Sequence, residues 1–404
     1  MLIHVLSDAK CRKVMSYPFK YHDYFDLDDT LPEEVQMARD AVRSWVDSVV
    51  SPVIETHAME ATFDPTWFSE LGALGCFGPA LPAEDGGQGL SETAYGVLMR
   101  ELERGDTAIR SMASVQGSLV MYPIASFGST EQKEKYLPRL GRGDWIGCFG
   151  LTEPGHGSDP GSMETRLQKV AGGYKLSGSK MWITNAPVAD VAVIWAKKED
   201  GKVQGVLLDL KKEGVKVETI SGKWSLRASV TGTIYMDEVL ISVDDLLPKA
   251  TGLGYAFKCL NKARYGIAWG AIGAAMDCYH TALSYAIERH QFNKPIASFQ
   301  LTQKKLAEMI TTISQAQLMA FRLGKLADQG AVTSAQISMA KRAHVEMALK
   351  VAREARQILG AMGITNDYPV MRHMVNLETV ITYEGTHDIH LLITGHDVTG
   401  LPAY

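Results

Sequence analysis

Two apolar stripes at helical spacing constrain this chain most. Leu306, Ile310, Ile313, Ala316, Ala320 and Leu323 mark one, and Ile337, Ala340, Ala343, Met347, Val351, Ala355 and Ile358 the other. Helices with apolar faces this long must bury them against one another, so residues 251–404 are expected to form a helix bundle. Upstream the period changes. From about Trp145 short apolar or alternating runs, such as 191–196 and 206–210, are separated by Gly172-Gly173, Glu199-Asp200-Gly201 and Gly222, which predicts a β domain over 145–250 that ends near Asp244-Asp245. Residues 29–144 read as helical again. A capping box at Thr30-Leu31-Pro32-Glu33 opens a helix carrying Val35, Ala38, Val42, Trp45 and Val49, and further helices are expected over 65–74, 91–104, 109–126 and, after a second box at Ser129–Gln132, to about Leu140. Residues 1–28 show no period and are expected to be an irregular arm. The fold class is α+β, mostly α, in three domains.

Length agrees with that division, since 404 residues exceed a comfortable single core. A net charge of −5 is too mild to advertise a polyanion, so no nucleic acid partner is expected. No apolar run approaches the roughly 20 residues of a membrane span, which argues against membrane insertion. The first fifteen residues carry Asp8, Lys10, Arg12 and Lys13 without a following apolar core, unlike a secretory signal. Cys11, Cys76, Cys148, Cys259 and Cys278 are odd in number and form no Cys-x-x-Cys, which fits reduced structural thiols in a cytosol-like compartment.

The chemistry is expected at 381–390, where Glu384 stands beside Gly385 in a chain otherwise rich in helix formers. Glycine ends helices and lets a backbone amide approach a ligand closely. Glu384 would then project from a helix end into a cavity, where burial disfavours its charged form and makes it a competent base near neutral pH. Such a base suits removal of a proton next to a carbonyl. Two other readings of the same residues stand beside it. The segment could be a helix C-terminus followed by a Thr386-capped helix. Glu384, His387 and His390 also recur at three-residue steps, half of a di-iron pattern; the other Glu-x-x-His, Glu153 to His156, is broken by Pro154-Gly155, so no metal is expected.

Two further segments offer ligand contacts. Residues 151–159 pack glycines, a proline and hydroxyls between β segments, presenting N–H and O–H donors, or simply forming a Gly-rich hairpin. Trp182-Ile183-Thr184 supplies an aromatic face and a hydroxyl, or strand core. There is no G-x-G-x-x-G and no Walker sequence. Arg110 lies among apolar and small residues, either reading a substrate or pairing at i,i+4 with Asp106.

Taken together, Glu101–Arg104, Arg110-Ser111, Ser114-Val115-Gln116, 148–154, 261–268 and 382–390 resemble the acyl-CoA dehydrogenases, flavoenzymes that desaturate acyl-CoA thioesters between the α and β carbons. Within that family the likeness is to the branch acting on glutaryl-CoA, and it runs from about Leu31 to the end. His156, Ala361 and Asp388 depart from the usual serine, glycine and glutamine. The resemblance implies a C-terminal four-helix bundle, FAD held between β domain and bundle, and completion of the site by a neighbouring subunit of a homotetramer.

It also implies roles. Glu384 would remove the α proton while hydride leaves the β carbon, with the carbonyl polarised by the Glu384 N–H and a flavin ribityl hydroxyl; Gly385 keeps that approach open. Phe149, Leu151, Thr152, Gly157, Ser158, Trp182, Ile183 and Thr184 would surround the flavin ring. Arg289, Phe292, Gln300, Gln357, Ile358, Gly360, Thr386 and Asp388 would hold its pyrophosphate and adenosine. Ser158, Leu260, Asn261 and Arg264 would meet the CoA arm. Arg110, with Ser111, Ser114, Glu103 and Tyr383, would receive the distal carboxylate of glutaryl-CoA, whose oxidation and decarboxylation yield crotonyl-CoA and carbon dioxide; a non-decarboxylating or short-chain acyl-CoA dehydrogenase is the alternative the resemblance leaves open. Electron-transferring flavoprotein is the implied electron acceptor, and the implied location is the cytoplasm of a bacterium or the mitochondrial matrix of a eukaryote. A flavin-binding protein without turnover would have no need of Glu384 or Arg110.

Overall fold

The computed structural model describes residues 22–403. Cys11 and all but the last residues of the expected arm lie outside them. The first helices are α1 (Glu33–Trp45), α2 (Ile54–Glu60), α3 (Thr66–Ala73), α4 (Glu92–Gly105), α5 (Thr107–Ser114), α6 (Tyr122–Phe127) and α7 (Thr130–Gly141). The Ser129–Gln132 capping box opens α7 as expected. The box at Thr30 does not form. Pro32 takes the N-cap position of α1, and the Thr30 hydroxyl instead closes the preceding short turn by donating to the Leu27 carbonyl (2.6 Å). The helix expected over 109–126 begins at Thr107, because the Asp106 carboxylate accepts from the Ala108 N–H (2.6 Å), and a π-helical stretch, Val115–Met121, joins α5 to α6.

Eight strands follow: β1 (Gly147–Gly150), β2 (Arg166–Val170), β3 (Gly173–Thr184), β4 (Val191–Lys198), β5 (Val203–Asp209), β6 (Val215–Thr219), β7 (Thr231–Ser242) and β8 (Leu246–Thr251). The strand beyond Asp244-Asp245 extends the β region further than the charge pair suggested. The sheet order is β6-β7-β3-β2-β4-β5-β8, with β1 parallel to β4. Leu176, Ile194, Val206 and Ile234 pack on one face, while Phe149, Val193 and Trp195 face the other way and join the core of the helical parts. Gln116 fastens this junction: its amide donates to the carbonyls of Leu140 and Trp145, and its oxygen accepts from the Gly147 N–H.

The remaining helices are α8 (Leu253–Glu288), α9 (Gln300–Asp328), α10 (Ser334–Ile358), α11 (Val370–Val380) and α12 (His387–Thr399), with a two-strand hairpin, β9 (His290–Gln291) and β10 (Lys294–Pro295), after α8. At 36 residues, α8 is roughly 54 Å long and runs between α4 and α10. The backbones of α4 and α8 nearly touch, since a Cβ on Gly273 would overlap the Arg100 carbonyl. The stripe expected on α9 is observed, with Ile310 only half-buried. On α10 the buried face is rotated. It comprises Ile337, Ala340, Lys341, His344, Val345, Ala348, Val351 and Ala355, whereas Ala343 and Met347 sit at its edge. Two polar side chains, Lys341 and His344, belong to the inner face and hid its true line.

One carboxylate locks the helix carrying Arg110 to the helix leading to Glu384. Asp106, at the N-cap of α5, accepts from the Arg372 guanidinium and from the Asn376 amide (2.9 Å), both on α11. Arg372 also donates to Glu55 (2.7 Å). Removing one partner of a buried ion pair strands the other. Asp106→Ala is therefore expected to destabilise the protein by about 3 kcal/mol, the low end of the usual range because Glu55 still pairs with Arg372. Denaturant unfolding of the purified variant checks this; an unchanged midpoint would show that the pair contributes nothing.

Candidate active site

The loop between α11 and α12 leaves the helical conformation at Glu384, whose φ is 55°, followed by Gly385 at 92°. A left-handed glutamate costs about 1–3 kcal/mol and persists only where its surroundings hold it. Those surroundings are cations. The Lys341 ammonium, from α10, donates to the carbonyls of Tyr383 (2.5 Å) and Gly385 (2.7 Å), and Arg264, from α8, donates to the Glu384 carbonyl (2.7 Å). Gly385 is required by space as well as by backbone, because a Cβ there would crowd the His390 ring at 2.9 Å. The Thr386 hydroxyl then accepts from the Ile389 N–H and opens α12. Thus the helix-cap pattern seen in the sequence is real, and it coexists with a carboxylate whose buried Oε2 has no hydrogen-bond partner among the described residues. Burial raises the Glu384 pKa, against the opposing pull of Arg264, Lys341 and Arg110. A raised carboxyl with one free oxygen can act as a base. Among the described residues no three His, Cys, Asp or Glu side chains converge as a metal-ligand set.

Arg110 comes to the same place from α5. Its Nε donates to Glu103 of α4 (2.5 Å) and its Nη2 to the Tyr383 hydroxyl. The i,i+4 partner Asp106 is not its partner, being taken by Arg372 and Asn376. The charge is therefore compensated within the protein by Glu103, seven residues back on the neighbouring helix. Among the described residues no protein group accepts from Arg110 Nη1. Burial pushes the Tyr383 phenol up to about 12, against the pull of Arg110, so it stays a neutral hydroxyl. Gly270 of α8 makes room for the pair, since a Cβ there would overlap Glu103 and crowd Arg110. Ser111 and Ser114 are buried on α5. Beyond Glu384, Arg264 approaches Asn261 (3.4 Å), which donates to Ser334 (2.8 Å); Leu260 is half-buried beside them.

The β domain carries the other residues expected around a ring. Between Lys180 and Ile183 strand β3 carries one more residue than β7, and at this bulge Trp182 adopts a φ of 63° and turns outward, 55% exposed, while Ile183 points into the core. Met181 N–H donates to the Thr152 carbonyl (2.9 Å), tying the bulge to the loop 151–159, where Leu151 is buried and Gly157 and Ser158 are exposed; Phe149, on β1, is buried just before it. Thr184 pairs with Thr231 across the sheet. A buried ion pair fixes the loop. Lys180 donates to Glu153 (2.8 Å) and to the Leu151 carbonyl (3.0 Å), and Glu153 accepts from the N–H groups of Glu164 and Thr165. An exposed aromatic face, a half-buried hydroxyl at Thr184 and a pinned glycine loop fit a flat, partly polar ring such as a flavin.

The remaining expected cofactor residues do not gather here. Arg289, Phe292, Gln300, Gln357 and Gly360 are exposed, Phe292 by 88%, and Ile358 is half-buried. Gln357 lies roughly 24 Å along α10 from Lys341. Within one chain this group forms a separate surface at the far end of the bundle, while Thr386 and the exposed Asp388 sit at the start of α12. Lys341, Lys180 and Gly270 escaped the sequence reading. A lone lysine in phase with an apolar stripe was the available signal for the first two.

Family models match nearly the whole chain in three parts: the acyl-CoA dehydrogenase N-terminal domain over 32–144, the middle domain over 148–239 and the C-terminal domain over 250–398. The bovine mitochondrial short-chain specific acyl-CoA dehydrogenase is 34% identical over 373 residues, 91% of this chain and 90% of that protein. A crystal structure of a glutaryl-CoA dehydrogenase from Mycobacterium smegmatis superposes with a TM-score of 0.92 at 47% identity, covering 94% of this chain and 98% of that one. A glutaryl-CoA dehydrogenase from the same organism, solved in complex with FADH2, gives a TM-score of 0.92 at 43% identity over the same shares. The three domain models, which together span most of the chain, and a relative 34% identical over 91% of it establish that this chain belongs to the acyl-CoA dehydrogenase family.

Proposed function

We propose that this FAD-dependent acyl-CoA dehydrogenase oxidises glutaryl-CoA, with Glu384 as the base and Arg110 as the reader of the distal carboxylate. One observation carries the substrate assignment: Arg110, whose Nη1 has no protein acceptor among the described residues, stands beside Tyr383, the residue before the base. Charge supports it. Arg110 and Arg264 face Glu103 and Glu384 with Lys341, whose pKa burial lowers to about 7, beside them, so whatever charge Lys341 carries is not offset by a third carboxylate among these groups. A straight acyl chain ending in a methyl would leave that imbalance in place; a dicarboxylate would offset it. The two structural relatives named above are glutaryl-CoA dehydrogenases, while the bovine relative acts on short chains, so the pocket residue has to decide.

The steps follow from the residues. Glu384 Oε2, unpartnered and raised by burial, takes the α proton. No protein acceptor takes the Glu384 N–H among the described residues, which leaves it to polarise the thioester carbonyl, an arrangement worth several kcal/mol, of the order of 3. Arg264 and Lys341 hold the loop still while the proton moves. Bound FAD supplies the hydride acceptor; Phe149, Leu151, Thr152, Gly157, Ser158, Trp182, Ile183 and Thr184 would hold its ring. Arg110 keeps the distal carboxylate in place at the γ carbon. Once the α,β double bond exists, the bond to that carboxylate can break, carbon dioxide leaving and the electron pair being conjugated with the thioester, so that reprotonation gives crotonyl-CoA. Ser158, Leu260, Asn261 and Arg264 would meet the CoA arm.

The exposed group at Arg289, Phe292, Gln300, Gln357, Ile358 and Gly360 supports completion of the adenosine and pyrophosphate site by a second subunit, with Thr386 and Asp388, in a homotetramer whose domains are 29–144, 145–250 and 251–404. Electron-transferring flavoprotein is the proposed acceptor. No described helix is long and apolar enough to cross a membrane; a bacterial cytoplasm or a mitochondrial matrix is the proposed location.

Glu384→Gln should retain FAD and bind acyl-CoA, yet slow anaerobic flavin reduction by at least about a thousandfold, as loss of an essential base requires. Near wild-type reduction would move the base elsewhere. Arg110→Met alone would strand Glu103, so it is best made together with Glu103→Gln. The double variant should lose about 2–5 kcal/mol in kcat/KM for glutaryl-CoA. For butyryl-CoA, which has no distal anion, it should do as well as the wild type or better. Equal losses on both substrates, with FAD retained, would show that Arg110 supports the pocket and does not read the substrate.

A further inference from the structure

We infer that Lys341 is a positioning residue for the base: its ammonium, clamped between the carbonyls on either side of Glu384, fixes the left-handed turn and favours the ionised carboxylate. This rests on Glu384 being the base. The carbonyls of Tyr383 and Gly385 lie past the end of α11 at Val380 and before α12 begins, so a helical N–H does not serve them and their partner has to come from another element. Here Tyr383 still donates back to the Thr379 carbonyl, completing the turn after α11, but its own carbonyl and that of Gly385 turn to one ammonium. Two bonds from a single atom to residues 383 and 385 leave the residue between them little freedom.

The placement is costly otherwise. Lys341 is 1% exposed on a face whose neighbours include Ile337, Ala340, His344 and Val345, and among the described residues no carboxylate forms an ion pair with it; the bonds its ammonium makes are to the carbonyls of Tyr383 and Gly385. Burial lowers its pKa, while Glu384 opposes that change. A neutral side chain would fill the same volume without the desolvation penalty, so the charge has to be accounted for by what it touches. What it touches is the base loop.

Lys341 does not act on the carboxylate alone. Arg264 and Cys259 of α8, Arg110 of α5 with its partner Glu103 of α4, Tyr383 of the loop, and His387 and His390 of α12 surround the same space. Arg264 is the stronger electrostatic influence on Glu384 and bonds to its carbonyl, so loss of Lys341 leaves the carboxylate less favoured but still accompanied. A cation removed from beside a carboxylate raises its pKa. The ascending limb of activity, where the base must be deprotonated, then moves to higher pH.

The test compares holoenzymes of the wild type, Lys341→Gln, Lys341→Met and Glu384→Gln by stopped-flow flavin reduction with glutaryl-CoA under anaerobic conditions across pH, together with FAD content and thermal unfolding. Lys341→Gln keeps a donor and loses the charge; its ascending limb should shift upward by about one pH unit. Lys341→Met loses both, and its limiting reduction rate should fall at least about tenfold at every pH, with the half-saturating substrate concentration little changed. A merely structural lysine would lower stability without moving the pH limb. Wild-type rates and an unmoved limb in both lysine variants, with Glu384→Gln inactive, overturn the inference and leave the base intact. An active Glu384→Gln overturns the base assignment itself. If neither lysine variant folds with FAD, the ammonium is a determinant of the fold, and the positioning role is likewise overturned.

Discussion

A buried carboxylate held in a left-handed turn by cations is the constraint on which the rest of this structure depends. Neither the conformation of Glu384 nor its burial is favourable alone. Both are sustained because Arg264 and Lys341 bond to the backbone of the loop, while these two and Arg110 bear on its charge. Each cation comes from a different helix, and so the crossing of α5, α8 and α10 has to be tight. Glycines without room for a Cβ at 270 and 273 allow the close passage of α8 past α4 and its buried pair with α5. Asp106 then ties α5 to α11, so the helix carrying Arg110 and the helix leading into the base loop keep one relative position.

The β domain obeys the same logic with different parts. Trp182 is turned out of its strand by a bulge, and a buried lysine-glutamate pair pins the adjoining loop. In both walls a lysine inside an apolar surface donates to backbone carbonyls, Lys180 to that of Leu151 and Lys341 to those of Tyr383 and Gly385. Strands and helices supply the rigid frame; ammonium groups set these two loops.

What could be read from the sequence was what local chemistry decides. The glycine after Glu384, the Thr386 cap and the Ser129–Gln132 box each act within a few residues, and each is where the pattern placed it. The Thr30 box failed because Pro32 moved the helix start past it. Partners distant in sequence were not legible. Asp106 looked like the natural companion of Arg110 at one helical turn, yet it faces α11, and Glu103 on a different helix takes the guanidinium. On α10, periodicity drawn through apolar residues alone misplaced the inner face, because Lys341 and His344 belong to it. Sequence reasoning misses buried charges for this reason: the rule that charged residues lie outside is most often broken where function requires it.

The proposed reaction requires that the distal carboxylate of glutaryl-CoA be both bound and lost. Mixing the yellow holoenzyme anaerobically with one equivalent of glutaryl-CoA, and weighing the acyl-CoA product by mass spectrometry as the flavin bleaches, tests this most directly. Bleaching with a product of crotonyl-CoA mass is expected. No bleaching with glutaryl-CoA, alongside prompt bleaching with butyryl-CoA, would contradict it.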